Sequence, residues 1–477
     1  MNIKSLLMPV YRRVPAPLKE LAGTLYGRYL SAWRYGPETE QLAAEARARE
    51  SWDAAAWRAY SEERLSSLLR DAAEHVPYYR EAWRRRRAAG DTSPVEDLAS
   101  WPVLTKAEVR RRPEAFLRDD AKPSSLFKLM TSGTTGTPVT VWRDRAAMRA
   151  WYAFTEARWR GWYGVTRHDP WAMLGGQEVV PVEQDTPPFW VWNAAGHQLY
   201  LSNLHVKRKN APAYLEAMRH HAVVHAYGYS SSLAELARYA VEDGLEAPRL
   251  KVVVTNAEPL LPWQREVIGR AFGCAARESY GMTEAVAGAS ECEHGVLHLW
   301  PDAGHVEVVD DDADAPVAPG ETGRLLCTGL LNTVMPLVRY EVGDRGAVVT
   351  DAGRCACGRD MPRLTALEGR STDNLVTADG RRVFWVNPVF YGLPLHEAQV
   401  VQVDLGRLVV NVVPAEGFGE EHERAIATGL RQRLGDVAVE VRRLAAIPRG
   451  PNGKFRAVVS HVTAAQGRGE GGPWNAA

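Results

Sequence analysis

Residues 223–273 alternate two kinds of text. VVHAYG (223–228) is a short apolar run, and SSLAELARYAVEDG (231–244) repeats apolar residues at the helical period. KVVVTN (251–256) is a second apolar run, and WQREVIGRAFG (263–273) is helical again. Parallel strands need a crossover between them, usually a helix, so this spacing predicts βαβ units and a largely parallel sheet flanked by helices. The flanks read differently. Over residues 1–120 the chain is helical: Leu65, Leu68, Leu69, Ala72, Ala73 and Val76 recur at helical spacing and Pro77 stops the run. Thr105 and Glu108 fit a capping box. The Arg/Lys-rich patches at 84–87 and 110–112 have acidic neighbours and read as solvated helix faces.

FKLM (127–130) and VTVW (139–142) are strand-like runs on either side of a Gly/Thr-rich turn, and 297–350 is β-patterned with Gly turns. After residue 375, VVQVDL, RLVVNVVP, EEHERAIATGLRQRLG and VAVEVRRL give a ββαβ order, a small α+β domain. The segment Gln466–Ala477 is Gly-rich and is expected to be disordered.

Charge and cysteine usage remove several classes of function. The 58 Lys+Arg balance 58 Asp+Glu, which argues against a nucleic-acid binder. The five cysteines, Cys274, Cys292, Cys327, Cys355 and Cys357, are too few and odd in number for a disulfide framework. No secretory signal is visible in MNIKSLLMPVYRRVP and no apolar run is long enough to span a membrane, so a cytoplasmic protein without a transmembrane segment is expected.

The strongest local signal is Thr131-Ser-Gly-Thr-Thr-Gly-Thr-Pro138. Its glycines allow close backbone approach to a phosphate, and its hydroxyls donate to phosphate oxygens. It lacks the Lys-Ser/Thr ending of a Walker loop, which disfavours a P-loop NTPase. The string resembles the phosphate loop of the adenylate-forming superfamily of acyl-CoA synthetases, adenylation domains and luciferases. Five further strings continue the resemblance in order. They are Ala257-Glu258-Pro259, Tyr280-Gly-Met-Thr-Glu284, Arg339-Tyr-Glu-Val-Gly-Asp344, Gly369-Arg370-Ser371-Thr372-Asp373 and Pro448-Arg-Gly-Pro-Asn-Gly-Lys454. HVPYYR, Asn256-Ala-Glu-Pro and Cys355-Ala-Cys-Gly-Arg359 look most like the phenylacetate–CoA ligase branch, and especially its capsule-biosynthesis relatives.

That resemblance implies an α/β fold: a large adenylate-forming N-terminal domain and a small mobile α+β C-terminal domain. Its parts would be 1–120 (helical), 121–369 (adenylation core), 370–374 (hinge, with Thr372 and Asp373), 375–465 (small domain) and 466–477 (tail). It also implies an ATP- and Mg²⁺-dependent enzyme that converts a carboxylic acid to an acyl-adenylate and pyrophosphate, then transfers the acyl group.

In that reading Thr131, Ser132, Gly133, Thr134, Thr135 and Gly136 hold the β/γ-phosphates. Thr283 contacts the α-phosphate and Glu284 holds Mg²⁺, while Asn256, Ala257, Glu258, Pro259, Tyr280 and Gly281 enclose the adenine. Asp344 accepts the ribose hydroxyls, Arg370 lies near ribose or phosphate, and Lys454 bridges the attacking carboxylate and the α-phosphate. Tyr227, Gly228 and Tyr229 are candidates for the floor and wall of the acid pocket, which would suit an aromatic or apolar acid of secondary metabolism or cell-surface biosynthesis.

Two departures bear on the second step. Thr137 stands where many relatives carry Lys. After the hinge, an Asp379-Gly380 turn replaces the Arg/Lys-Gly turn that helps form a pantetheine tunnel. The acceptor is CoA by default, with an amine, sugar or carrier protein as the alternative; a non-catalytic nucleotide-binding protein is the reading from another class. Cys292, His298, Cys355 and Cys357 have the ligand types of a closed structural Zn²⁺ site, against free thiols in a β region. Most of the 16 tryptophans are expected in packing, some in the acid pocket.

Overall fold

The structure is a computed structural model that describes residues 14–131, 138–370, 375–378, 382–383, 386–390, 392–450 and 455–462. The chain divides into two compact units, 1–342 with 346–367, and 343–345 with 368–477.

The larger unit opens with helices α1 (Ala16–Arg34), α2 (Thr39–Arg49), α3 (Ala54–His75), α4 (Pro77–Ala88) and α5 (Lys106–Arg111). Leu65, Leu68, Leu69 and Ala72 are buried as their spacing predicts, and the Thr105/Glu108 capping box is formed. Pro77 does more than stop a helix. It is the first residue of α4, where its missing N–H is an orphan donor in any case. Strands β1 (Phe127–Met130) and β2 (Thr140–Arg143) pair as the antiparallel hairpin expected on either side of the Gly/Thr-rich string. α6 (Arg145–Phe154) follows and runs into a π-helical turn, Thr155–Arg160.

One twelve-stranded sheet forms the body of this unit. Its strands are β3 (Trp171–Gly175), β4 (Trp190–Asn193), β5 (Gln198–Ser202), β6 (His225–Tyr229), β7 (Val252–Asn256), β8 (Ala275–Gly281), β9 (Gly288–Glu291), β10 (Leu297–Leu299), β11 (Gly304–Val309), β12 (Gly323–Gly329), β13 (Tyr340–Val349) and β14 (Arg363–Arg370). Their spatial order is β11-β12-β13-β14-β10-β9-β8-β7-β6-β3-β5-β4. Helices α7 (Ala211–His220), α8 (Ser230–Glu242) and α9 (Pro262–Phe272) cross from β5 to β6, β6 to β7 and β7 to β8, and β3, β5, β6, β7 and β8 are parallel. The expectation of a largely parallel sheet holds only there. β8–β9, β9–β10 and β10–β14 are antiparallel, because tight turns rather than helices join β8 to β9 and β9 to β10. Leu174, Leu199, Val253, Leu233 and Phe272 pack the parallel half.

The smaller unit has β17 (Leu395–Asp404), β18 (Arg407–Pro414), α10 (Glu420–Leu434) and β19 (Ala438–Arg443), the ββαβ order read from sequence, and adds β20 (Val458–Ser460) parallel to β17. The two-stranded hairpin β15 (Leu375–Val376) and β16 (Arg382–Val383) precedes them. Ile426, Leu430 and Leu434 of α10 pack on Val400, Leu408, Val410 and Val412.

Candidate active site and cysteine–histidine cluster

Parallel strands end at one edge of a sheet, and ligands of open α/β sheets bind outside those carboxyl ends. The ends of β6, β7 and β8 bring together Tyr227, Gly228, Tyr229, Asn256, Tyr280 and Gly281. Tyr229 lies opposite Asn256, and the Asn256 side-chain amide donates to the Tyr227 hydroxyl at 2.7 Å. Burial raises the pKa of the Tyr227 hydroxyl and pushes that of Tyr229 up to about 12, so both stay neutral hydrogen-bonding groups.

Trp159, presented by the π-helical turn, stacks on the Tyr227 ring at 5.0 Å. Such turns carry one extra residue and often re-aim a side chain at a site. Gly228 serves strand contact: a Cβ there would sit 2.1 Å from the Leu174 carbonyl oxygen, so β3 and β6 tolerate no side chain at this position. Ala257 has φ +63°, and the Glu258 carboxylate accepts from the Ser231 amide at 3.0 Å and the Ser230 hydroxyl at 3.2 Å, capping α8. Pro259 closes the same turn, its carbonyl accepting from Ser230 at 2.9 Å.

The β8–β9 turn carries Thr283 and Glu284. Glu284 is buried, and one of its carboxylate oxygens accepts from the Tyr340 hydroxyl at 2.8 Å, joining two motifs that are 56 residues apart. The Thr283 carbonyl accepts from the Arg143 guanidinium at the end of β2. Arg143 is 5% exposed, its Nε has no hydrogen-bond partner and no carboxylate lies in ion-pair contact with it among the described residues. Burial pulls it down to about 10, still a cation at neutral pH.

Thr131 closes the β1–β2 hairpin: its amide donates to the Val139 carbonyl at 3.0 Å and its hydroxyl accepts from the Val139 amide at 2.9 Å. Asp344 is half-buried on β13. Ser132, Gly133, Thr134, Thr135, Gly136, Thr137, Thr372, Asp373, Asp379, Gly380, Lys454, the Arg370 side chain and the 466–477 tail lie outside the described residues. Arg143, Tyr340 and Trp159 were not singled out as site residues from sequence. The available signals were an arginine closing an apolar strand and a tyrosine inside the Arg-Tyr-x-x-Gly-Asp string.

A second polar cluster forms where β9 turns into β10. The ligand atoms of Cys292, His298, Cys355 and Cys357 all lie within 4.8 Å of one another. His298 Nε2 is 3.4 Å from the Cys357 sulfur, and its Nδ1 faces the Met361 carbonyl at 3.4 Å, which orients the ring toward the thiols. His294 is exposed and outside the cluster. Burial pulls His298 down to about 4 and pushes Cys292 up to about 11. Burial also pushes the Cys355 thiol up, but hydrogen bonds from Cys357 and Cys292 outweigh it and hold it below its ordinary value. Three sulfurs and a neutral imidazole are the donor set of a closed zinc site. Arg359, two residues on, ties this turn to Glu50 at 2.9 Å and stacks on Trp162 at 4.0 Å.

Residues 58–336, more than half the chain, match the family model described as "AMP-binding enzyme", and 375–461 match "CapK C-terminal domain". The chain belongs to the AMP-binding enzyme family. It is 23% identical to Protein CapK of Staphylococcus aureus, covering 81% of this chain and 85% of that one. It is 27% identical to the phenylacetate-coenzyme A ligase of Thermus thermophilus, covering 72% and 74%. A 2-hydroxyisobutyryl-CoA ligase crystallised in the postadenylation state with 2-HIB-AMP superposes with a TM-score of 0.63 over 86% of this chain and 91% of that one; at 21% identity the likeness is one of fold. The AMP-binding family member is thus an AMP-forming acid ligase resembling phenylacetate–CoA ligases, with the large α/β and small α+β parts expected. No helix among the described residues is long and apolar enough to cross a membrane.

Proposed function

We propose that this AMP-binding enzyme adenylates a carboxylic acid at the carboxyl ends of β6, β7 and β8 and then passes the acyl group to CoA. The observation that carries the reading is the buried Tyr340–Glu284 hydrogen bond beside Arg143, at strand ends that also present Asn256 and Tyr227. A carboxylate is a poor acylating agent because its oxygen is a poor leaving group. Attack on the α-phosphate of ATP expels pyrophosphate and leaves AMP as the leaving group for the second step. The attack sets anion against anion, so fixed positive charge and aligned donors lower the barrier.

Arg143 supplies such a charge beside Thr283, in a chain whose phosphate loop has Thr137 in place of Lys. Glu284 fits a magnesium–triphosphate: it is a buried carboxylate with one oxygen held by the Tyr340 hydroxyl. Magnesium, when bound, neutralises triphosphate charge. Thr283 is assigned to the α-phosphate, Tyr280 and the 256–259 turn to adenine, Asp344 to ribose, Arg370 to ribose or phosphate, and Lys454 to the attacking carboxylate. Tyr227 and Trp159 offer an aromatic wall, which supports an aromatic or apolar acid. Rotation of the smaller part about the 370–374 hinge would remove Lys454 for the second step.

The match of 375–461 to a CapK C-terminal domain favours one second reading, in which an amine, sugar or carrier protein takes the acyl group. Mass spectrometry of the protein with Mg-ATP and pooled aryl and aliphatic acids, with and without CoA, separates them. An acyl-adenylate that becomes an acyl-CoA supports the first reading. An adenylate that CoA leaves untouched supports the second. No adenylate from any acid, with no ATP binding, overturns both.

The cysteine–histidine cluster fits a structural Zn²⁺ that would bind β9, β10 and the 355–357 turn to one another. Elemental analysis of protein purified without chelator should find zinc near one equivalent per chain, and its absence would reject the assignment.

A further inference from the structure

Helix α1 turns its apolar side outward. Its inner side is fastened to β4: Gly27 and Leu30 are buried, a Cβ on Gly27 would lie 2.2 Å from the Asn193 side chain, and the Thr24 hydroxyl accepts from the Ala194 amide at 3.1 Å. Its outer side carries Leu18, Leu21, Leu25 and Tyr29 at 54%, 55%, 55% and 51% exposure. Steps of three and four residues place these four on one stripe. Tyr26 and Met130, at 38% and 47% exposure, enlarge the apolar area, and Arg28 is exposed at its margin. Among the described residues, these four side chains stay more than half exposed.

Charge says what would cover them. The first 19 residues contain Lys4, Arg12, Arg13 and Lys19 and no Asp or Glu. Residues 1–34 hold six of the 58 Lys+Arg but one of the 58 Asp+Glu, in a chain whose total is neutral. A second copy docked face to face would set this excess against itself. An anionic lipid surface complements both the apolar stripe and the positive balance of this end of the sequence, apolar chains taking the leucines and acidic headgroups the exposed Arg28, whereas Lys19 is buried at 6% exposure. We infer that α1 docks the enzyme on an anionic phospholipid membrane, lying in the headgroup plane with Leu18, Leu21, Leu25 and Tyr29 inserted. The inference is independent of the reaction proposed above.

The test is flotation of the full chain with phosphatidylcholine vesicles and with vesicles that also contain phosphatidylglycerol. The wild-type chain should float with the anionic vesicles, stay behind with the neutral ones, and be weakened by salt. Leu21→Asp/Leu25→Asp should lower the bound fraction about tenfold or more while leaving the thermal midpoint unchanged. If that variant does not fold, Arg28→Glu, at the exposed margin, should still weaken binding roughly threefold. Wild-type protein that does not float with anionic vesicles, or foldable variants that float as well as wild type, would overturn the proposal. A wild-type dimer in sedimentation that the double variant dissociates, with no vesicle binding, would assign the face to a second copy.

Discussion

Two buried polar clusters flank the four-residue strand β9, and they are assembled on opposite principles. Around Glu284 the converging groups alternate donor and acceptor: the Tyr340 hydroxyl gives to the carboxylate and Arg143 gives to the Thr283 carbonyl. Protein groups pair with each other there, although the buried Arg143 Nε has no partner. Around His298 every converging atom is a lone-pair donor of the kind metals take, three sulfurs and one imidazole nitrogen within 4.8 Å. Such a set is complementary to a cation and to little else. The lesson is that in one cluster donors meet acceptors within the protein, while in the other the converging atoms are all of the kind a metal takes.

That contrast can be broken. Glu284→Gln should lower acid-dependent ATP–pyrophosphate exchange about a thousandfold while leaving zinc content and thermal midpoint near wild type. A loss of stability comparable to the loss of exchange would erase the distinction between the clusters. Cys355→Ser should do the reverse, removing bound zinc and costing on the order of 3 kcal/mol in denaturant unfolding. Acid sharpens the same point. Burial holds His298 at about 4 in the fold against an ordinary 6.5. The unfolded chain therefore binds a proton between those values that the folded chain does not.

Stability from this group is full above pH 6.5 and is lost as pH falls toward 4, by roughly 3 kcal/mol in metal-free protein. Unfolding of chelator-treated protein across that range checks it, and His298→Asn should flatten the slope. Arg143→Gln should reduce exchange about tenfold, because the buried cation beside Thr283 is removed. The smallest effect belongs to Tyr340→Phe: one hydrogen bond of about 1 kcal/mol, read as a severalfold fall in exchange.

Much of the two clusters was legible before any coordinates. The 223–273 alternation gave β6, α8, β7 and α9 because crossover helices write themselves at a fixed spacing, and the capping box at Thr105 is a local device. Cys292, His298, Cys355 and Cys357 stood out because few residue types bind zinc. The sheet order was not legible: β14 lies beside β10 although more than 60 residues separate them, and pairing at that range leaves no mark on either strand. Arg143 and Tyr340 were missed for a related reason. A lone arginine on a strand reads as a surface charge until the fold buries it against a turn 140 residues away. The π-helical turn that delivers Trp159 to Tyr227 has no periodicity of its own to read.

Strand β9 has a consequence for how this chain tolerates change. Gly281 pairs with Gly288 at the turn that holds Glu284, and Glu291 pairs with Leu297 at the turn that begins with Cys292. One added or deleted residue between them would reverse the faces of β9 and displace the carboxylate turn, the thiol, or both. The interval from Glu284 to Cys292 is therefore a ruler of fixed length. In a library of insertions scanned along the chain, it should be the segment where none survive with both exchange activity and bound metal intact.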